Sequence, residues 1–292
     1  MRLKKIFSVL FAVFMLLMSS AFSEDNHEVF EVHFLCVGTN DGILLRYGDE
    51  CAFIDSGNYP EGVMCAEYMK EVGVTKLKYY IGSHAHLDHV GGAPAIVSAI
   101  PTESAIYSYD TAKRAMYVMA KTDEEVQALD ALEWLPINYG DVFWLGDVKI
   151  TCVVPETYVP KHDLQDTSEN NNSVLLQVTF GNFSVFLTGD SPSWKVLEMH
   201  KKHPEVLKST VIKAPHHRGG FDKSVYKLMD TQYIVFSTAG TWLPQKDQMT
   251  MAGDSASHVL ITADNRNGNI VFITDGETVA VQTQFDYNYE QN

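Results

Sequence analysis

The stretch Ser83-His84-Ala85-His86-Leu87-Asp88-His89 gathers three imidazoles and a carboxylate into a few residues of chain. Those are the side chains that zinc and similar divalent ions take as donors. Alternate residues of an extended segment share a side, so His84 and His86 point the same way. Asp88 and His89 enter the next turn and can face a second ion nearby. Gly91-Gly92 follows and permits a tight backbone past the cluster. Further donors stand elsewhere: Asp55 in Phe53-Ile54-Asp55-Ser56-Gly57, Asp190 in Phe186-Leu187-Thr188-Gly189-Asp190, and His216-His217 after Lys213-Ala214-Pro215. Each follows an apolar stretch of strand length. If those strands run in a common direction, their ends share one sheet edge, and the donors form a metal site open to solvent. Asp190 alone would read as a turn residue and Pro215 as a strand end. Beside the histidine cluster, the metal reading prevails.

The elements that must position these groups are short. Period-two patterns and turn residues predict strands at 29–37, 43–47, 51–54, 77–81, 142–144, 148–154, 174–180, 184–188, 210–213, 233–237, 259–261, 269–274 and 279–284. Gly146-Asp147 and Gly181-Asn182 read as hairpin turns. Helical spacing predicts helices at 60–72, 93–99, 194–202 and 224–229. Thr122-x-x-Glu125 is a capping box that predicts a helix running to Trp134. The stretch 241–257, with Trp242, Met249 and Met251, reads either as a loop walling the site or as a surface excursion. Many strands with interspersed helices suggest two sheets packed face to face with helices outside.

The chain has 292 residues and a formal net charge of −15. That is room for one large domain or two small ones. An acidic surface repels phosphate backbones and anionic lipids at long range. Extracellular nucleic acid is therefore disfavoured as a partner, short of a local basic groove. At the N-terminus, Arg2, Lys4 and Lys5 precede an apolar run at 6–18 and the small residues of Ser19-Ser20-Ala21-Phe22-Ser23. The run is short for a span, which needs ~20 residues. Residues 1–23 read as a cleaved secretory signal, with an uncleaved anchor as the alternative, and 24–292 as one domain. The expectation is a secreted protein with no stable membrane insertion after cleavage. Cys36, Cys51, Cys65 and Cys152 match no zinc knuckle or redox pair. Export permits a disulfide such as Cys36 with Cys51, and single buried thiols are the alternative.

The string His84-x-His86-x-Asp88-His89 resembles the hallmark of the metallo-β-lactamase superfamily. The resemblance implies an α+β fold, an αββα four-layer sandwich in a single domain. It implies that Asp55 supports the ligands from behind and that Asp190 bridges two metals. His84, His86 and Asp190 would hold one ion. Asp88, His89, Asp190 and one of His216 and His217 would hold the other. Zinc is the expected metal, as one or two ions, with manganese its rival. More narrowly, the chain resembles the hydrolase domain of ComEC-type DNA-uptake proteins and their free-standing secreted relatives. Four stretches carry that likeness: Val32-His33-Phe34-Leu35-Cys36-Val37-Gly38, Asn172-Ser173-Val174-Leu175, Lys213-Ala214-Pro215-His216-His217 and Gly268-Asn269-Ile270-Val271.

Departures from the pattern bear on the site. Of the polar positions in the family's D-V-G-Q-G-D stretch, Asp41 alone survives, so contacts at that rim differ. Arg218-Gly219-Gly220 replaces the usual Gly-Ser, and Arg218 can grip an anion in bidentate fashion or be a solvated surface residue. A third histidine common in the superfamily is replaced by Asn170-Asn171-Asn172-Ser173, for which His162 is a weak substitute. His258 is a weak candidate near the pocket; His27, His33, His200 and His203 are not. The implied reaction is hydrolysis by metal-activated water, with Asp88 or Asp190 orienting the nucleophile and Arg218 stabilising negative charge. The expected substrate is a small-molecule or polymeric ester, foremost a phosphodiester or related phosphate ester. Lactones, other esters and β-lactams yield to the same attack. A reading of another class is a non-catalytic secreted metal- or ligand-binding protein that keeps the fold. No oligomeric state is indicated.

Overall fold

The computed structural model describes residues 28–153 and 167–287. The signal expected over 1–23, with His27 and His162, lies outside the described residues.

One sheet begins as an antiparallel meander of β1 (Phe30–Phe34), β2 (Ile43–Tyr47) and β3 (Glu50–Ile54). It continues in parallel through β4 (Leu77–Gly82), β5 (Thr102–Tyr107) and β6 (Glu133–Pro136). The second sheet holds β7 (Val142–Leu145), β8 (Val148–Cys152), β9 (Leu176–Phe180) and β10 (Phe183–Leu187), all antiparallel. Parallel strands β11 (Val211–Lys213), β12 (Thr231–Phe236) and β13 (Ala256–Ile261) extend it beyond β10. The chain then returns to the first sheet as β14 (Ile270–Thr274) and β15 (Val279–Thr283). The orders are β15-β14-β1-β2-β3-β4-β5-β6 and β13-β12-β11-β10-β9-β8-β7.

Three apolar layers follow from the two-residue period of the strands. In β3, Ala52 and Ile54 face the space between the sheets, where they meet Phe30, Val178 and Val185. Cys51 and Phe53 face the opposite way, toward α1 (Tyr59–Glu71), α3 (Ala93–Ala99) and α4 (Asp110–Met119), whose Met69, Ile96 and Met116 complete that layer. On the far face, Phe186, Ile212 and Ile234 pack with Val196 and Met199 of α6 (Ser193–Lys202). Two short helices, α2 (Leu87–Val90) and α7 (Lys223–Tyr226), fill the edges. The result is the expected helix–sheet–sheet–helix sandwich, an α+β fold. Both faces of each sheet are covered, which explains the near-continuous apolar runs of the parallel strands.

Local signals set the helix ends. Pro60 sits in the first turn of α1, where its missing N–H costs nothing. At the other end Gly73 takes φ +83°, Gly73 N donates to Lys70 O and Val74 N to Met69 O, the paired bonds of a Schellman stop. The Thr122–Glu125 capping box forms, but its helix α5 (Asp123–Asp130) stops short of Trp134. Trp134 joins β6 instead, its indole N–H donating 3.0 Å to Leu129 O. The stretch 241–257 is corrected likewise: it contains α8 (Lys246–Ser255), whose Met249 is buried with the outer layer of the second sheet. All four cysteines are free, so the Cys36–Cys51 pairing does not form; Cys51, Cys65 and Cys152 are buried as small apolar groups. Among the described residues no helix is long and apolar enough to cross a membrane.

Gly62 of α1 and Gly92 ahead of α3 meet backbone to backbone; a Cβ on Gly62 would lie 2.4 Å from Gly92 Cα. The same contact locks the 55–58 turn against 89–92, with Gly92 N donating to Gly57 O at 2.9 Å. Overpacking of this kind costs about 1–3 kcal/mol. Gly62→Ala should therefore lower the unfolding free energy by about 1–3 kcal/mol, read as a lower urea midpoint at unchanged slope. An unchanged midpoint would show that the two segments separate freely.

Candidate metal centre

Two pairs of parallel strands converge on one edge. β3 and β4 run side by side, with Ile54 opposite Ile81; their C-terminal ends deliver Asp55 and the 83–89 segment. β10 and β11 are paired in the same way and deliver Asp190 and His216-His217. Val174 N donates to Ser83 O at 2.9 Å, joining the two sheets there, and Asp190 N to Ser173 Oγ at 3.1 Å within the second sheet. Asp55, His216 and His217 have φ of +56°, +54° and +56°. Such left-handed backbone costs non-glycine residues about 1–3 kcal/mol each and persists only where the surroundings impose it.

Asp55 is held on every side. It accepts from Ser83 N at 2.8 Å and Ser83 Oγ at 2.7 Å, and its Oδ2 lies 2.8 Å from His89 Nδ1. A carboxylate only accepts, so Nδ1 of His89 carries the proton and Nε2 faces the interior. There it stands 3.2 Å from Asp190 Oδ1. His217 Nε2 lies 3.6 Å from Asp190 Oδ2 and 3.4 Å from Asp88 Oδ2. His84 Nε2 and His86 Nδ1 approach to 3.0 Å, and together with Asp190 they offer ligand atoms within 4.8 Å of one another. Asp190 thus belongs to both donor groups, one with His84 and His86, the other with Asp41, His89 and His217, and Asp88 reaches the second group through His217.

These groups fit a metal. Donors about 2.1 Å from a tetrahedral ion stand about 3.4 Å apart, which matches the spacings around Asp190. His89 Nε2 and His217 Nε2 are buried with no hydrogen-bond partner, which leaves both atoms as positions an ion could take once their protons are displaced. Burial, then the neighbouring His89, holds His84 well below the usual imidazole range, so it stays a neutral donor. Burial works against protonation of His217, yet Asp190, Asp41 and Asp88 outweigh it and raise the group to about 9. His89 is likewise pushed well up against burial, by Asp190 and Asp55. Asp190 remains ionised despite burial because His89, His217 and Lys213 surround it.

Of the residues expected at the site, His84, His86, His89, Asp88, Asp190 and Asp55 converge as described. Of the pair left open, His217 is buried and turned inward, whereas the His216 side chain is 60% exposed, with Nε2 4.0 Å from Asp190. Arg218 lies on the exposed rim, its guanidinium 4.2 Å above the Trp242 ring. His258 stacks on Tyr233 within β12 and β13 and joins neither donor group. His33 is buried against Glu31 and Tyr68. Sequence reasoning missed the depth of Asp41 and the presence of Lys213, both fully buried here. Lys213 pairs with Asp41, donates to Gly189 O at 3.0 Å and lies 3.9 Å from Asp190 Oδ1. A lysine inside the apolar run Val211-Ile212-Lys213-Ala214 was the available signal.

Ion uptake must displace the protons that the carboxylates hold on His89 and His217. Zn²⁺ binding at neutral pH should therefore release protons, and its apparent affinity should climb with pH toward about 9. Calorimetry in buffers of different ionisation heat reads both effects; pH-independent binding across neutrality would contradict the assignment.

Residues 38–190, just over half of the chain, match the family described as the metallo-beta-lactamase superfamily. Among curated proteins none matches significantly. Solved structures do. The metallo-beta-lactamase fold protein YhfI from Bacillus subtilis aligns with a TM-score of 0.56 at 14% identity, over 85% of this chain and 100% of its own. Tm1679, described as a metal-dependent hydrolase of the beta-lactamase superfamily, gives 0.50 at 12%, over 80% and 95%. A mutant of the CmlA beta-hydroxylase from Streptomyces venezuelae gives 0.53 at 9%, over 85% and 54%. At these identities the likeness is one of fold, and it agrees with the two-sheet sandwich and the family match. The chain belongs to the metallo-β-lactamase superfamily.

Proposed function

We propose that the protein is a secreted metal-dependent hydrolase acting on a phosphodiester or related phosphate ester. The observation that carries the reaction class is Asp190, whose carboxylate is shared by two donor groups, one with His84 and His86 and one with His89 and His217, with His89 Nε2 at 3.2 Å and His217 Nε2 at 3.6 Å. A bound divalent ion, zinc or manganese, supplies Lewis acidity and lowers the pKa of water to ~7, providing a nucleophile at neutral pH. His84, His86 and Asp190 would hold one ion; Asp88, His89, Asp190 and His217 the other.

The chain's own residues do the rest. Asp88 is 38% exposed and held ionised against burial by His217 and His89, so it can accept a hydrogen bond from the attacking water and orient it. Asp55 keeps His89 in one tautomer through its Nδ1 contact. Arg218, exposed, next to His217 in sequence and 4.2 Å over the Trp242 ring, carries a planar guanidinium suited to the paired oxygens of a phosphate. That placement favours an anionic ester over a lactone or β-lactam. The ComEC-type stretches point the same way, and the acidic charge limits long nucleic acid as substrate. The basic, apolar and small-residue pattern of 1–23 supports export.

Elemental analysis of the purified protein should find bound zinc or manganese, with turnover of bis-(p-nitrophenyl) phosphate. His86→Ala and Asp190→Ala should lose metal and reduce kcat by about 10²–10³-fold, the usual loss on deleting one electrostatic stabiliser. Arg218→Ala should cut kcat/KM about 10–100-fold on the phosphodiester, as for a lost charged hydrogen bond, and leave p-nitrophenyl acetate hydrolysis unchanged. Metal without phosphodiester turnover would overturn the substrate class; a folded protein that takes up neither metal would overturn the hydrolase.

A further inference from the structure

Asp41 and Lys213 are a buried acid and a buried base at the centre of this edge, 1% and 0% exposed, with no part in the reaction above. Their placement repeats an arrangement seen around His89. The His89 ring is pinned between acids, Asp55 2.8 Å from Nδ1 and Asp190 3.2 Å from Nε2. The His217 ring lies 5.1 Å away and tilted by 33°. Its Nε2 likewise faces Asp190 and Asp88, while its Nδ1 faces Asp41 Oδ1 at 3.7 Å. Asp41 Oδ1 and His217 Nδ1 are both buried, and neither has a hydrogen-bond partner. The other Asp41 oxygen, Oδ2, is taken by Lys213, whose ammonium is anchored 3.0 Å from Gly189 O, next to Asp190. Ser83 ties Asp55 from behind; Lys213 ties Asp41 from behind.

A neutral imidazole has one N–H and one lone pair, and the partner of one nitrogen decides the role of the other. We infer that Asp41, anchored by Lys213, is the positioning residue of His217, fixing the proton on Nδ1 and aiming Nε2 at the ion position that His89 Nε2 also faces. The inference rests on the reading of this edge as a metal centre. A competing arrangement makes Asp41 a direct ligand, since its carboxylate lies within 4.8 Å of His89, His217 and Asp190 donor atoms. That arrangement draws the ion toward the Nδ1 side of His217, where Asp41 Oδ1 lies 3.7 Å away, and a single imidazole cannot turn both nitrogens to one ion. Asp41 stands on the Nδ1 side of both rings, 3.7 Å from each, and Asp190 on the Nε2 side. The geometry therefore separates supporting acids from ligands.

The tautomer decides between them and needs no substitution. Long-range proton–nitrogen spectra of the Zn²⁺-loaded protein should show His217 protonated at Nδ1 and metal-bound at Nε2; the reverse pattern would overturn the inference. Asp41→Asn and Lys213→Met, checked for folding by circular dichroism, should weaken the second Zn²⁺ about 10–100-fold, the usual cost of losing such support. The first Zn²⁺ should bind as in the wild type, and Lys213→Arg should recover part of the loss. Co²⁺ spectra of Asp41→Asn should keep the wild-type band intensities once saturated, whereas a change of coordination would mark Asp41 as a ligand. Two Zn²⁺ ions retained at wild-type affinity in Asp41→Asn would strike this inference alone. A wild type that binds no Zn²⁺ would instead remove the metal centre beneath it.

Discussion

Three carboxylates, Asp41, Asp55 and Asp190, lie buried at one sheet edge, between 1% and 3% exposed. An isolated buried charge is costly enough that it must be paired or coordinate a metal. Each acid here has its cation or donors: Asp55 the Ser83 amide and hydroxyl and His89, Asp41 the ammonium of Lys213, Asp190 the two imidazoles of His89 and His217. The histidines are themselves held by these acids, so the network is mutually supporting. It fixes the ring nitrogens to within the reach of an ion before any ion arrives, the preorganisation on which metal affinity depends.

The sandwich explains how residues distant in sequence meet in such a network. Parallel neighbours in each sheet send their C-terminal ends to the same edge, so Asp55 and His84–His89 arrive from one sheet and Asp190 and His217 from the other. Apolar layers on both faces of each sheet hold the strands in register. The loops that carry the donors are short, and three of their residues adopt left-handed backbone. Strain of that kind is tolerable at a site that the core over-determines. Gly62 and Gly92 serve the same end by bringing the 55–58 turn and the 89–92 segment into backbone contact.

Much of this was legible in the chain. The His84–His89 string, the strand-ending acids and the two-residue period of β2, β3 and β4 are local signals, and the structure places them where local reasoning put them. Elements set by tertiary pairing were less legible. Trp134 belongs to a strand because β5 lies beside it, and nothing local distinguishes that from the end of a capped helix. No element is predicted for 102–119, yet it forms β5 and α4 against the first sheet. The 241–257 stretch, rich in polar residues, forms α8 because Met249 and Ala252 find an apolar layer to enter. Asp41 and Lys213 illustrate the limit at the site. One reads as a rim acid and the other as part of a strand, and only the fold shows that they are paired and buried together.

The measurement that bears most directly on the shared-carboxylate centre is anomalous X-ray diffraction from crystals loaded with Zn²⁺. Two peaks are expected on either side of Asp190, one against His84 and His86 and one against His89, His217 and Asp88, ~3.5–4 Å apart as in two-metal hydrolytic sites. No peak in contact with Asp190, or a single peak lodged on the Asp41 side of the His89 and His217 rings, would contradict the centre described.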